Sequence, residues 1–424
     1  MIKQIKILNV LIVFYFFFRL EIINNLIPSI WFVFLLLIIF IGIRICSKMS
    51  IHEIFFLVKK NIWIFISLII LLFYKFFDYG NFRLDIMIQY LLTSIPFLII
   101  GFSYSLKRKK LNYIVFSLLI LYFLSYSYTI ITYFLVGNFS REYLESIIFS
   151  GQENSGLIHL WPFLSTLILL SYGLFKGAKS SDYFKVMLYV IWALFLLFIF
   201  LSGFMSGVVF LLTSVISILF FKTKIKSILK GIVLLPILLY YFILFLSVYS
   251  VGPIKSKSEG LLSLIDSGFL LDESILNIIT SNRSTAIVYS FSQFVKKPLF
   301  GNGIFLEKIT GMMGSFDTYT SASGGHNFFI DLAAFMGVFS IPFILIYSDF
   351  IKNSRRISII NVNNKYYSKN IIIYSIFFSI FISNILNSWL LFSAFDNFIF
   401  LLAGYVSGQL YLSVNTKYIS NNNF

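Results

Sequence analysis

Residues 26–45 read LIPSIWFVFLLLIIFIGIRI, an apolar run that carries no charge before Arg44. An α-helix rises about 1.5 Å per residue, so about 20 such residues cross the roughly 30 Å hydrocarbon core of a bilayer. The run is continuous and does not alternate, which predicts a membrane helix over a strand. The same pattern recurs outward along the chain at 5–22, 61–77, 86–106, 112–136, 157–175, 184–201, 204–221, 231–250, 327–348, 370–388 and 394–413. The chain is therefore expected to be all-α, a polytopic integral membrane protein of about 12 transmembrane helices in a single membrane domain over residues 1–424. Composition points the same way. The 424 residues are 59% hydrophobic and 12% charged, with a mean hydropathy of +0.92, whereas soluble domains carry about a quarter charged residues.

Charge predicts the direction of the spans. With the N-terminus on the cytoplasmic side, 23 of the 33 Lys and Arg fall on cytoplasmic segments, among them the run Lys107-Arg108-Lys109-Lys110 and the group Lys352, Arg355, Arg356, Lys365 and Lys369. Short outer loops hold only Arg19, Lys75, Arg83 and Arg141. That asymmetry follows the positive-inside rule and puts both termini in the cytoplasm. The net charge of +16 then reflects orientation-setting loops, and no nucleic-acid partner is expected. The first apolar run has no small-residue cleavage site after it and reads as an anchor. The single cysteine, Cys46, excludes an internal disulfide.

One long outer loop, 251–325, separates the ninth and tenth spans. A structureless loop of that length is rare in a compact protein. Ser281-Asn282 reads as a helix N-cap, Ile287, Phe291, Phe294 and Val295 make an apolar stripe, and Pro298 stops the helix. An amphipathic helix on the membrane surface is expected, with Arg283 in its first turn and Lys296 and Lys297 at its close. Gly301 and Gly303 mark a turn.

The loop returns to the membrane through Gly324-Gly325-His326-Asn327, and Gly337 follows eleven positions after the histidine. The positive end of a helix disfavours a protonated imidazole, so His326 is expected to be neutral, as a general base must be. On a continuous tenth helix Gly337 would share a face with His326 and let a neighbouring helix or a lipid come close. Arg283 can grip a phosphate bidentately and stays charged at any working pH. Arg141 shares a short loop with Glu142, Glu145 and Glu153, and a local ion pair accounts for it adequately. Asp331 and Asp396 fall inside predicted spans, where carboxylates are costly. His159 is read as a packed core residue. His52, His159 and His326 lack metal-ligand spacing, so no metal is expected, and no cofactor either, since there is neither a GxxxxGK[ST] loop nor a dinucleotide fingerprint.

In this order and spacing the motifs resemble the O-antigen polymerase (Wzy-type) and O-antigen ligase superfamily of bacterial envelope glycosyltransferases. His326-Asn327, nine residues and Gly337 are similar to the ligases' His-Asn-x9-Gly. Arg283 followed by Lys297-Pro298-Leu299-Phe300-Gly301-Asn302-Gly303 is similar to the family's arginine and Pro-Leu-x-Gly-x-Gly, and Asn154-Ser155-Gly156 resembles an Asn-rich entry to a span. Where many members carry Ser-Arg-Gly, this chain has Met205 within Ser202-Gly203-Phe204-Met205-Ser206-Gly207.

The resemblance implies a bacterial inner-membrane enzyme that joins oligosaccharide repeat units carried on undecaprenyl diphosphate, with His326 and Arg283 catalytic. Arg141, Asn327, Lys296, Lys297, Gly301 and Gly303 would contribute to substrate binding. Membrane lipid and a chain-length regulator are the other partners it implies. The departure at Met205 leans the reading toward polymerase. Two alternatives remain at this stage: a ligase that passes glycan to lipid A-core or a protein, and a flippase of lipid-linked sugars. A flippase favours internal repeats and mid-membrane ionisable groups, which the sequence does not display.

Overall fold

The structure is a computed structural model. It describes residues 2–18, 30–77, 84–107, 111–136, 156–176, 181–201, 205–222, 240–241, 243–249, 252–267, 283–302, 308–309, 318–319, 327–360, 367–386 and 394–421, with the side chains of most of them. These residues are almost wholly helical. The helices are α1 (Ile2–Phe18), α2 (Ile30–Cys46), α3 (Ile51–Lys60), α4 (Ile62–Phe76), α5 (Leu84–Leu106), α6 (Asn112–Val136), α7 (Gly156–Phe175), α8 (Asp182–Leu201), α9 (Met205–Lys222), α10 (Gly252–Asp266), α11 (Arg283–Lys296), α12 (Phe328–Met336), α13 (Ile341–Ile360), α14 (Tyr367–Leu386) and α15 (Ala394–Asn421). A 3-10 turn, Gly337–Ser340, joins α12 to α13, and Lys308–Ile309 pairs antiparallel with Thr318–Tyr319. That short ladder was not expected from the sequence.

Among the described residues, two helical segments are long and apolar enough to cross a membrane, Phe329–Ile360 and Asn397–Asn415. α3 and α4 would make a third span if taken together, although they meet at 80°. Further apolar helices, including Ile30–Cys46 and Asn112–Leu124, are shorter. On α2 the side chains of Phe32, Val33, Leu36, Phe40 and Ile43 all lie exposed. An apolar face of that extent belongs against lipid or another apolar surface, not water.

Two expectations about the spans are corrected. The third span is preceded by a separate helix, α3, where the sequence predicts no span. Its start is a capping box: the Ser50 Oγ accepts from the Glu53 amide at 3.3 Å, and the Glu53 carboxylate accepts from the Ser50 amide at 2.8 Å. The 80° corner is held by buried Asn61, whose Nδ2 donates to the Leu57 carbonyl and to Ser407 Oγ on α15, both at 2.9 Å. The second correction concerns 327–348. It is no continuous helix but breaks at Gly337, and its continuation α13 runs on to Ile360.

The centre of the bundle is the contact between α5 and α15, the most extensive helix pair in the molecule. Its backbones touch because the facing residues are glycines. A Cβ on Gly101 would lie 2.0 Å from the Leu401 carbonyl oxygen, and one on Gly404 would lie 2.0 Å from that of Leu98. Gly404 and Gly408 form a small-xxx-small pair, which allows this approach where lipid supplies no hydrophobic drive between helices. Around this axis α9 packs on α14, α13 on α14 and α4, and α1 on α2 and α6.

Polar side chains tie the outer helices in. Ser214 bonds Ser379 at 2.7 Å (α9 to α14), Trp192 Nε1 donates to Ser171 at 2.7 Å (α8 to α7), and Ser67 bonds Tyr90 at 2.8 Å (α4 to α5). Lys369, expected on a basic loop, is instead buried in α14 and donates to the Tyr405 hydroxyl at 2.9 Å. Each such bond is worth about 0.6–2 kcal/mol between membrane helices.

Replacing Gly404 by Ala is expected to force α5 and α15 apart and cost about 1–3 kcal/mol, the range for overpacking. Gly42→Ala, whose Cβ would meet Pro96 at an ordinary 3.6 Å, should be neutral or mildly stabilising. Thermal unfolding of the two variants in the same detergent checks the contrast.

Candidate functional site

The segments singled out in the sequence meet at the break between α12 and α13. Pro298 ends α11 and the chain turns through Leu299, Phe300 and Gly301, with Gly301 at φ +67°. That turn is seated directly on the end of α12. A Cβ at Gly301 would lie 2.2 Å from the Phe335 carbonyl, and one at Gly337 would lie 2.3 Å from the Pro298 carbonyl oxygen. Gly337 has φ +56°, so both glycines occupy conformations that side chains resist. The glycine therefore does admit a close neighbour, as the sequence implied. The neighbour is the turn after α11, and Gly337 ends its helix instead of sharing a continuous face with residue 326.

Hydrogen bonds close the joint. The Val338 amide donates to the Pro298 carbonyl at 2.9 Å, and the Asn302 amide donates to that of Ala334 at 3.0 Å. The Asn302 side chain donates to the Gln293 carbonyl at 3.2 Å. From α4, the fully buried Tyr74 points its hydroxyl between two carbonyls, those of Phe300 at 2.7 Å and Met336 at 3.0 Å. Nearer the start of α12, Ser290 on α11 donates to the Asp331 carboxylate at 2.9 Å. This gives the intramembrane carboxylate expected from the sequence a defined partner on the helix that begins with Arg283.

The register of these contacts fixes the relative direction of the helices. Ser290 meets Asp331, and Pro298 and Leu299, eight and nine residues after Ser290, meet Val338, seven residues after Asp331. α11 and α12 thus run side by side in the same direction, and their N-termini open on the same side. Arg283 is the first residue of α11, seven residues before Ser290, or about 10 Å at 1.5 Å per residue. Asn327 is the N-cap of α12, four residues before Asp331, or about 6 Å. The Asn327 Oδ1 accepts from the Phe329 and Ile330 amides, both at 3.1 Å. This occupies the side chain with capping the helix, in addition to any contact it makes elsewhere.

The other residues singled out divide as follows. Lys296 and Lys297 are exposed at the far end of α11, on the side of the joint. Gly301 is buried and serves the packing of the turn. His326, Gly303, Arg141 and the Ser281-Asn282 cap lie outside the described residues, as do the side chains of Arg283, His159 and Asp396. Sequence reasoning missed Tyr74, Ser290, Gln293 and Asn302. Asn302 lay within the quoted motif, whereas Tyr74 sits in an apolar run with no signal of its role. Among the described residues no group of His, Cys, Asp or Glu could hold a metal ion. Compared with known proteins, the chain matches no family model and no curated sequence.

Tyr74→Phe leaves the carbonyls of buried Met336 and exposed Phe300 without that donor, and a loss of about 1–3 kcal/mol is expected. Gly337→Ala adds positive-φ strain, itself about 1–3 kcal/mol, to a backbone collision, and should be worse. Thermal melts of both against the parent protein give the order.

Proposed function

We propose that this protein is a bacterial envelope polysaccharide polymerase. It would join undecaprenyl-diphosphate-linked repeat units at the outer face of the cytoplasmic membrane. In this reading the chain crosses the membrane about twelve times with both termini in the cytoplasm, and the segment 251–325 is extracytoplasmic. The observation that carries the proposal is the joint itself. The two motifs that resemble the family, Lys297–Asn302 and Asn327–Gly337, are remote in sequence yet seated on each other. The helices they border begin on one side, one with Arg283 and the other with the cap that follows His326.

The chemistry follows from those groups. An acceptor hydroxyl attacks the anomeric carbon of the lipid-linked donor chain. A new carbon–oxygen bond forms as the bond from that carbon to the diphosphate oxygen breaks. The electron pair leaves with undecaprenyl diphosphate, whose charge the Arg283 guanidinium balances, and the hydroxyl proton passes to His326. Helix N-termini favour an anion beside them, so two that open on one side suit a diphosphate leaving group. Holding both substrates at one mouth supplies the proximity contribution. Lys296 and Lys297 are exposed at the other end of α11, about 20 Å along the helix from Arg283, and so away from the diphosphate.

His326→Ala is expected to lower polymerisation by roughly 10²–10⁴-fold, the usual worth of a general base. Arg283→Ala should abolish it, and Arg283→Lys should keep only part because the bidentate fork is lost. Envelope polysaccharide from cells carrying each variant at equal protein level, run on a gel, is the readout. A polymerase defect leaves single repeats on the acceptor, whereas a ligase defect leaves long chains stranded on undecaprenyl diphosphate. A flippase defect leaves units on the inner leaflet, and full activity in both alanine variants removes the assignment.

A further inference from the structure

The segment made of α12, the 3-10 turn and α13 is longer than a membrane span requires. Counting from Phe329, about 20 residues cross the hydrocarbon, which leaves the last turns of the 32-residue segment Phe329–Ile360 beyond it. Those turns carry Lys352, Arg355 and Arg356, all exposed. They line one end of a groove between α13 and α14 with a volume of about 650 Å³, a size in the range of small-molecule sites. Toward the middle of α13 its wall turns apolar, formed by Ile344, Leu345, Ile351 and Phe381. No carboxylate is among the lining residues.

The positive charge is concentrated there by construction. Asn353, buried on α13, donates to the Lys60 carbonyl at 2.7 Å, which docks the end of α3 beside the cations of α13. Lys59 and Lys60 form the last turn of α3. A second groove, about 310 Å³, opens between Lys60, Arg356, Phe56 and Leu410. Asp349, the one acidic group described near this cluster, accepts from the Trp63 backbone and acts on both Lys352 and Lys60. The Lys60 ammonium is held below the ordinary lysine range, first by partial burial and then by Arg356, Lys59 and Lys352. One carboxylate does not offset five cations.

We infer that the groove between α13 and α14 binds an anionic glycerophospholipid, its phosphate held by Lys352, Arg355 and Arg356 and an acyl chain laid along Ile344, Leu345 and Phe381. A ligand that fits must be anionic at one end and apolar along its length, and a basic recess between membrane helices at the water boundary recognises that chemistry. Arginine supplies the fork that grips a phosphate through two bonds. The inference needs only the membrane location of the chain. It holds or fails independently of the transferase reading.

The test is native mass spectrometry of the full chain in detergent, with equimolar phosphatidylglycerol and phosphatidylethanolamine of the same acyl chains. Phosphatidylglycerol should be retained preferentially, and the triple variant K352Q/R355Q/R356Q should lose about tenfold or more of that retention while phosphatidylethanolamine is unaffected. If the triple variant does not fold, the exposed single changes Arg355→Gln and Arg356→Gln should each lower retention several-fold, whereas Lys185→Gln should not. Equal retention of the two lipids, or no change in the variants, overturns the proposal. So does displacement of the lipid by an equimolar amount of inorganic phosphate, which would mean an anion site without a lipid role. Loss of a dimer in the triple variant would make a second copy of this chain the occupant and also overturn it.

Discussion

The carbonyl end of α12 is the constraint around which this part of the molecule is arranged. A helix leaves its last carbonyls without partners, and when they are buried they cost free energy unless a donor reaches them. Here the donors come from elsewhere in the chain. The Asn302 amide reaches the carbonyl of Ala334 and the Tyr74 hydroxyl that of Met336. In return, the Val338 amide just past the break is spent on Pro298. These bonds require two backbones at van der Waals contact, and this explains why both apposed residues are glycines with positive φ. α11 and α12 are held side by side as a result, with their common direction fixed by the joint and the Ser290–Asp331 bond.

How far the sequence reveals this depends on the kind of signal. Apolar runs of about twenty residues are read from length alone, and each predicted span meets a helix except 231–250, which lies mostly outside the described residues. Features decided by tertiary contact were not legible. A break at Gly337 and a continuous helix through it have the same hydropathy, and only the approach of Pro298 and Leu299 selects between them. α3 was missed because its amphipathic pattern is ten residues long and sits between charges. Lys369 was assigned to a loop because charge was used to mark water, whereas Tyr405 gives it a partner inside the bundle. The glycines of α15 were visible as letters, but their role needed the facing Gly101.

The candidate site divides along the same line. The resemblance names the Pro-Leu-x-Gly turn and the Asn-x9-Gly stretch as separate motifs, and their physical contact is a feature of the structure. Asn327 illustrates what a motif alone leaves out. Its side chain accepts two backbone amides of α12, so an asparagine beside the histidine has a structural task, that of fixing where the helix starts. Asp331 likewise gains its meaning from Ser290, a residue that no motif marks.

The pairing of α4 with α13 connects this site to the opposite end of the molecule. At one end Asn353 of α13 holds the Lys60 carbonyl where α4 begins. At the other, Tyr74 of α4 holds Met336 where α13's predecessor ends. Ile62, where α4 begins, and Tyr74 are twelve residues apart, about 18 Å of helix. The two clamps therefore sit near opposite ends of α4. Between them Ile64 and Leu71 of α4 and Phe343 and Ile346 of α13 are buried. A brace clamped at both ends resists sliding of α13 along α4. The spacing between the glycine joint and the basic groove is therefore held at both ends of α4.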